Sequence, residues 1–164
     1  MENLDSQQVE IVGRHIVIAN LIAAGIEVAQ PIRDRGIDLI AYGDGKGGGE
    51  FQACPIQIKA STNEGFNLDK KYERFHNLRI VYVWKARVPA DSEIYALTYA
   101  QAQAVIQGMG YDITQSWDRE NGRYAVTKPS LKLKKILQGH QIKTPNDWFD
   151  KLGFANFRSN LPSS

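Results

Sequence analysis

Gly36-Ile37-Asp38 and, about twenty residues further on, Gln57-Ile58-Lys59 are the groups in this chain whose types and spacing could do chemistry. An acid leaves a glycine turn and enters an apolar run; a later apolar run carries an amide and an amine. Side chains alternate faces along a strand, so Gln57 and Lys59 point one way while Ile56, Ile58 and Ala60 point the other. If the two runs pair as a hairpin, Asp38 lies beside Gln57 and Lys59. A carboxylate and an amide oxygen are hard ligands suited to Mg²⁺, which also keeps waters and takes phosphate oxygens. Such an ion activates water and offsets charge at a phosphodiester under attack. Lys59 would stabilise that charge or position the attacking water. Each residue also has a plain reading: Asp after Gly is common at turns, and a lysine at a strand end often reaches for solvent. Taken singly, Asp38 and Lys59 favour the plain reading. The ordered pair on one surface favours chemistry.

The elements that must position these groups can be read from the same sequence. Residues 6–24 carry Val9, Val12, Ile16, Ala19 and Ala23 near helical spacing, with Asp5 or Ser6 as a cap and Gly25 as a stop. Ile26 to Gln30 reads as a short strand, Arg33-Asp34-Arg35-Gly36 as a turn, and Ile37 to Tyr42 as a second strand. The glycine-rich stretch 43–49 lacks the Lys-Ser/Thr ending of a P-loop and reads as a hairpin loop into a third strand within Phe51 to Ala60. In that strand Pro55 marks an edge, bulge or start. The pattern then predicts a short polar helix over Asn67 to His76, a strongly β-prone central strand over Arg79 to Val88, and a strand over Glu93 to Leu97. After it come a helix over Tyr99 to Gly108, a polar hairpin over Ser116 to Val126, a basic helical turn over Ser130 to Leu137, a helix over Pro145 to Leu152 and a loose tail from Ser159. Helix, three strands, helix and strand make an α/β protein with a mixed sheet.

Composition bounds the reading. The chain has 164 residues, 43% hydrophobic and 23% charged, which suits one folded domain with a real core. No apolar run reaches the ~18 residues of a membrane span, and the start lacks the pattern of a secretory signal. A cytoplasmic location is the default expectation. Cys54 is the single cysteine, which excludes an internal disulfide and a cysteine zinc cluster; it is expected to be buried. His15, His76 and His140 show no paired ligand spacing, and His76 is expected to cap the C-terminal end of its helix.

Charge is uneven. Residues 1–118 hold 11 Lys and Arg against 15 Asp and Glu, whereas residues 119–158 hold 9 against 3. Arg119, Arg123, Lys128, Lys132, Lys134 and Lys135 could bind phosphates, or could be an unevenly charged solvated surface. Ser61 could touch phosphate or start a turn. Trp117 and Tyr124 read as core packing before base stacking. Trp148 and Phe149 anchor the last helix or form a dimer contact, and Glu50 and Glu64 are reserve acids should Gln57 not be a ligand.

From about Gln7 to Ser61 the chain resembles the PD-(D/E)XK nuclease superfamily, near archaeal Holliday-junction resolvases and restriction-type endonucleases. The stretches that carry the resemblance are the amphipathic helix, Gly25-Ile26-Glu27-Val28, Gly36-Ile37-Asp38-Leu39-Ile40-Ala41 and Gln57-Ile58-Lys59-Ala60-Ser61. The resemblance implies a restriction-endonuclease-like αβββαβ core with a central mixed sheet flanked by helices. The core would cover about 6–108, within a single domain of 1–164, with C-terminal hairpin and helix additions over about 109–158. It further implies a Mg²⁺- or Mn²⁺-dependent endonuclease acting on duplex or branched DNA. In that pattern Asp38 takes the place of the metal-binding acid, Gln57 the D/E place and Lys59 the catalytic lysine place. Glutamine for acid removes one negative charge and should weaken metal binding. The resolvase-like branch has a glutamate on its first helix. Alignment on Gly13 puts Arg14 there, with Glu10 one turn earlier as either an auxiliary acid or half of an exposed Glu10–Arg14 ion pair. Cutting two strands needs two sites, so a homodimer is expected. Two other readings stay open: a weak or inactive member that only binds DNA, and a non-enzymatic α/β interaction domain in which Asp38 and Lys59 form a surface ion pair.

Overall fold

A computed structural model describes residues 4–33, 35–44, 50–112, 114–119 and 121–154. Most of the glycine-rich loop and all of the tail from Ser159 lie outside the described residues. The first helix, α1 (Ser6–Ala23), begins at a reciprocal cap. The Asp5 carboxylate accepts from the Gln8 backbone N–H, and the Gln8 side chain accepts from that of Asp5. Gly25, at φ +77°, then turns the chain in a left-handed conformation that glycine adopts without strain.

Three antiparallel strands follow: β1 (Glu27–Ala29), β2 (Leu39–Asp44) and β3 (Phe51–Ala60). A short strand, β4 (Phe66–Asp69), and a 3-10 turn (Lys70–Arg74) lead to β5 (Arg79–Trp84), which pairs parallel to β3. Then come β6 (Glu93–Thr98), α2 (Tyr99–Gly108), α3 (Gln115–Asp118), β7 (Arg123–Val126), α4 (Leu131–Leu137), β8 (Gln141–Ile142) and α5 (Asp147–Leu152). The main sheet is six-stranded and mixed, in the order β1-β2-β3-β5-β6-β8; β4 and β7 form a separate antiparallel ribbon.

The sheet separates two cores. On one side, Val9, Ile16, Val17 and Leu21 of α1 and Trp148, Phe149 and Leu152 of α5 meet Ile56, Ile58, Val81 and Val83. On the other, Ile80, Tyr82 and Trp84 meet Ala102, Val105, Ile106, Leu133, Leu137 and the ribbon residues Phe66 and Leu68. Residues 80–84 of β5 are therefore buried on both faces, as their continuous β-prone run requires. No helix among the described residues is long and apolar enough to cross a membrane.

The protein is thus an α/β fold with a central mixed sheet flanked by helices, opening with a helix and a three-stranded meander. Two expected elements differ. The segment Asn67 to His76 is β4 and a 3-10 turn rather than a helix, because Phe66 and Leu68 alternate into the core and β4 finds β7 as its partner. His76 accordingly lies beyond the turn and caps no helix. The stretch Ser116 to Val126 is not a hairpin: its first part is α3, and β7 pairs with β4 instead of a sequence neighbour.

Candidate active site

The register of β2 on β3 aligns Leu39 with Ile56, and one step earlier Asp38 comes opposite Gln57. The Asp38 N–H still bonds the Ile56 carbonyl at 2.8 Å. Beyond this point β3 continues to Ala60 with β5 on its far side, while β2 has not yet begun. The Asp38 side chain fills the gap: its Oδ2 accepts from the Ile58 N–H and from Gln57 Nε2, each at 2.6 Å. Gln57 Nε2 also donates to the Ile58 carbonyl at 3.1 Å. Asp38 and Gln57 are 7% and 8% exposed, and among the described residues they are the buried polar or charged side chains. A buried carboxylate is tolerated when donors surround it. Gly36 makes the approach, at φ +89°, with space for a Cβ only 3.2 Å from the Tyr72 ring.

Lys59 lies two residues along the same face of β3. Its ammonium donates to the Tyr72 hydroxyl at 3.0 Å, stands over the Tyr72 ring, and is 3.6 Å from Asp69 Oδ2. The other oxygen of Asp69 is 3.5 Å from Arg123 Nε, its cross-strand partner in the ribbon. Burial pushes the Tyr72 phenol above its ordinary range, so it meets Lys59 as a neutral hydroxyl. From α1, Arg14 Nη2 bonds Glu10 at 2.8 Å and approaches Asp38 Oδ1 at 4.0 Å. The Glu10–Arg14 ion pair is therefore present, and Glu10 also lines the cleft. The helix can come this near because Gly13 lies directly against Ala60 of β3.

Asp38, Gln57, Lys59, Tyr72 and Glu10 line a cleft of about 300 Å³ that Asn67 also faces. Sequence reasoning missed Asn67, Asp69 and Tyr72, all on the segment read as a helix. The alternation of Phe66 and Leu68 was the available signal. Asn67 Oδ1 is buried without a hydrogen-bond partner, which marks this wall as suited to a polar guest. The donors suit one kind of ion. With its nitrogen turned to Asp38 and Ile58, the Gln57 amide leaves Oε1 toward Gly36 on the cleft side. No group of three or more His, Cys, Asp or Glu is gathered among the described residues. A single carboxylate with amide oxygens fits a hydrated Mg²⁺ that shares its coordination with substrate phosphate, and does not fit a closed zinc cage.

Other expected contacts are dispersed. Arg123 joins the Lys59 network through Asp69. Lys132 donates to the Gly108 carbonyl at 2.9 Å, closing α2, and Lys134 pairs with Glu64 at 2.5 Å. Arg119, Lys128 and Lys135 are exposed. The Ser61 hydroxyl bonds the Asn63 carbonyl at 2.9 Å, stabilising the turn after β3. Glu64 is engaged by Lys134, and Glu50 is exposed at the far end of β3, so neither lines the cleft. Trp117 is core, Tyr124 stacks on Tyr111 with ring centroids 4.3 Å apart, and Trp148 and Phe149 anchor α5. Cys54 is buried, its thiol pushed up to about 11 by desolvation.

No family model matches the chain, and no curated protein matches it. Among solved structures it is similar to a bacterial homing endonuclease, with 11% identity and a TM-score of 0.43. The superposition covers 92% of this chain and 89% of the other.

Proposed function

We propose that this protein is a metal-dependent endonuclease that hydrolyses DNA phosphodiester bonds in duplex or branched DNA. One observation carries the reading: Asp38 and Gln57 meet at 2.6 Å where β2 and β3 part, and Lys59 enters the same cleft from the same face of β3. Asp38 Oδ1 and Gln57 Oε1 would hold Mg²⁺ or Mn²⁺. When bound, the ion supplies positive charge to a phosphate oxygen and makes water more acidic. The chain's own residues do the rest. Gln57 and the Ile58 N–H fix the Asp38 carboxylate, so little reorganisation is needed to present its second oxygen. Tyr72 and Asp69 hold the Lys59 ammonium where it can meet a phosphate oxygen or orient a water. Glu10 serves as an auxiliary acid at the rim. Cleavage of both strands takes two copies, consistent with a homodimer.

A second reading, a DNA-binding module with weak or no turnover, is favoured by Arg14 beside Asp38 and by the neutral Gln57. Plasmid nicking with Mg²⁺ separates the two. Asp38→Ala and Lys59→Ala should each slow nicking by ~10²–10³-fold, the usual cost of losing one group that stabilises transition-state charge. Equal activity in wild type and both variants would remove the site. Salt-sensitive binding without cleavage by wild type would support the second reading.

A further inference from the structure

Next to the Asp38 cleft lies a second and larger one, of about 820 Å³, lined by Arg35, Gly36, Lys71, Tyr72, Arg74 and Phe75. Gly36, Lys71 and Tyr72 line both, so the two adjoin. Among the described residues no carboxylate lines the larger cleft, and Arg35, Lys71 and Arg74 have no ion-pair partner there. Two of its cations rest on aromatic faces: Lys71 is 5.1 Å from the Tyr72 ring centroid, and Arg74 is 4.7 Å from that of Phe75. A ring face orients a cation without neutralising its charge. In the C-terminal third, by contrast, Arg123 and Lys134 face carboxylates and Lys132 closes a helix.

We infer that this cleft is the track for the DNA backbone, with Arg35, Lys71 and Arg74 contacting phosphates that flank the one presented to Asp38 and Lys59. The inference rests on the endonuclease reading and gives it a substrate path that the sequence placed elsewhere, in the basic C-terminal third. A strand whose reacting phosphate sits between Asp38 and Lys59 can leave the smaller cleft over Lys71 and Tyr72, and then runs between Arg35 and Arg74. Contacts of this kind add affinity without base selectivity and release condensed counterions.

The test is binding of a labelled DNA duplex without metal across a range of salt, alongside plasmid nicking with Mg²⁺. The proteins are wild type, Arg35→Ala/Lys71→Ala/Arg74→Ala and Lys128→Ala/Lys132→Ala/Lys135→Ala. All three cleft cations reach solvent, and thermal melting confirms that each variant is folded. The cleft variant should flatten the plot of log affinity against log salt by roughly 2–3 units, about 0.9 for each lost phosphate contact. The C-terminal variant should keep the wild-type slope. A wild-type slope in the cleft variant, loss of slope in the C-terminal variant alone, absence of duplex binding by wild type, or tighter cleft-dependent binding of an RNA duplex would each overturn the inference. If Asp38-dependent nicking survives while the cleft variant binds as wild type, the track is wrong and the cleavage reading stands. If cleft-dependent binding is found without nicking, the track stands and the cleavage reading fails.

Discussion

Replacing Gly13 with alanine tests whether the contact of α1 with β3 sets both stability and site geometry. A Cβ at Gly13 would lie 2.3 Å from the Ala60 Cβ, whereas carbon atoms settle at about 3.5–4.0 Å. The helix must therefore move out by roughly 1.5 Å, because the Ala60 methyl is fixed to the backbone and cannot swing aside. Alanine recovers about 1 kcal/mol of helix propensity over glycine, while overpacking of this severity costs about 3 kcal/mol. The net is a loss of about 2 kcal/mol. Ala60→Gly alone should cost about 1 kcal/mol through backbone freedom. In the double variant the clash is gone, the two backbone effects offset, and stability should return close to wild type. Urea unfolding of the four proteins measures the cycle. The proposed site adds a second readout, because Arg14 follows Gly13 and Ala60 follows Lys59. A displacement of this size should slow nicking by ~10²-fold in Gly13→Ala, with recovery in the double variant. If the double variant is destabilised by the sum of the single losses, the close packing of α1 on β3 is not the cause and the reasoning fails.

Gly36→Ala should destabilise by roughly 1–2 kcal/mol, because its φ of +89° disfavours a side chain and the new methyl would press on Tyr72. Nicking should fall with it, since this turn delivers Asp38; unchanged unfolding midpoints would refute the strain. His140 gives a pH test, because burial first and the nearby Lys151 charge second hold its imidazole below the ordinary value of 6.5. Its Nδ1 is buried without a hydrogen-bond partner. Between that value and the lower folded one, the unfolded chain binds a proton that the folded chain does not, so stability should fall as pH drops below about 6.5. His140→Gln should flatten that part of the stability–pH curve, and an unaltered slope would count against it.

The Asp38–Gln57 contact of the candidate site was legible because it depends on local rules. Strand alternation put Gln57 and Lys59 on one face, and a short hairpin with fixed register brought Asp38 opposite Gln57. The Lys59 environment was not legible, because its wall is β4, whose partner β7 lies more than fifty residues further along the chain. Polar residues such as Asn67, Asp69 and Lys70 match a helical surface as well as a strand beside an unseen partner, and only tertiary pairing separates them. Charge reads differently along the chain and in the fold. Segment sums point to residues 119–158, where Arg119, Lys128 and Lys135 are exposed, and the fold also brings Arg35, Lys71 and Arg74 together beside the cleft across Gly36 and Tyr72, without an ion-pair partner among the described residues. The buried elements were easier: the apolar run of β5 and the capped, periodic α1 each state their burial in their own residues.

The β4–β7 ribbon gives the cleft two parts with separate mechanical support. Asp38 and Gln57 form a floor within the six-stranded sheet, backed by α1. Asp69, which pairs with Lys59, belongs to the wall, a two-stranded ribbon seated on that sheet by Phe66 and Leu68, by the Tyr82 hydroxyl on the Asn67 carbonyl and by the Trp84 indole on the Gly65 carbonyl. A two-stranded ribbon holds its shape through what it rests on. Changes at its outer residues can therefore re-aim the ammonium while the oxygen donors stay where they are. Arg123, which shares Asp69 with Lys59, therefore reaches the cationic side of the candidate site without touching Asp38 or Gln57.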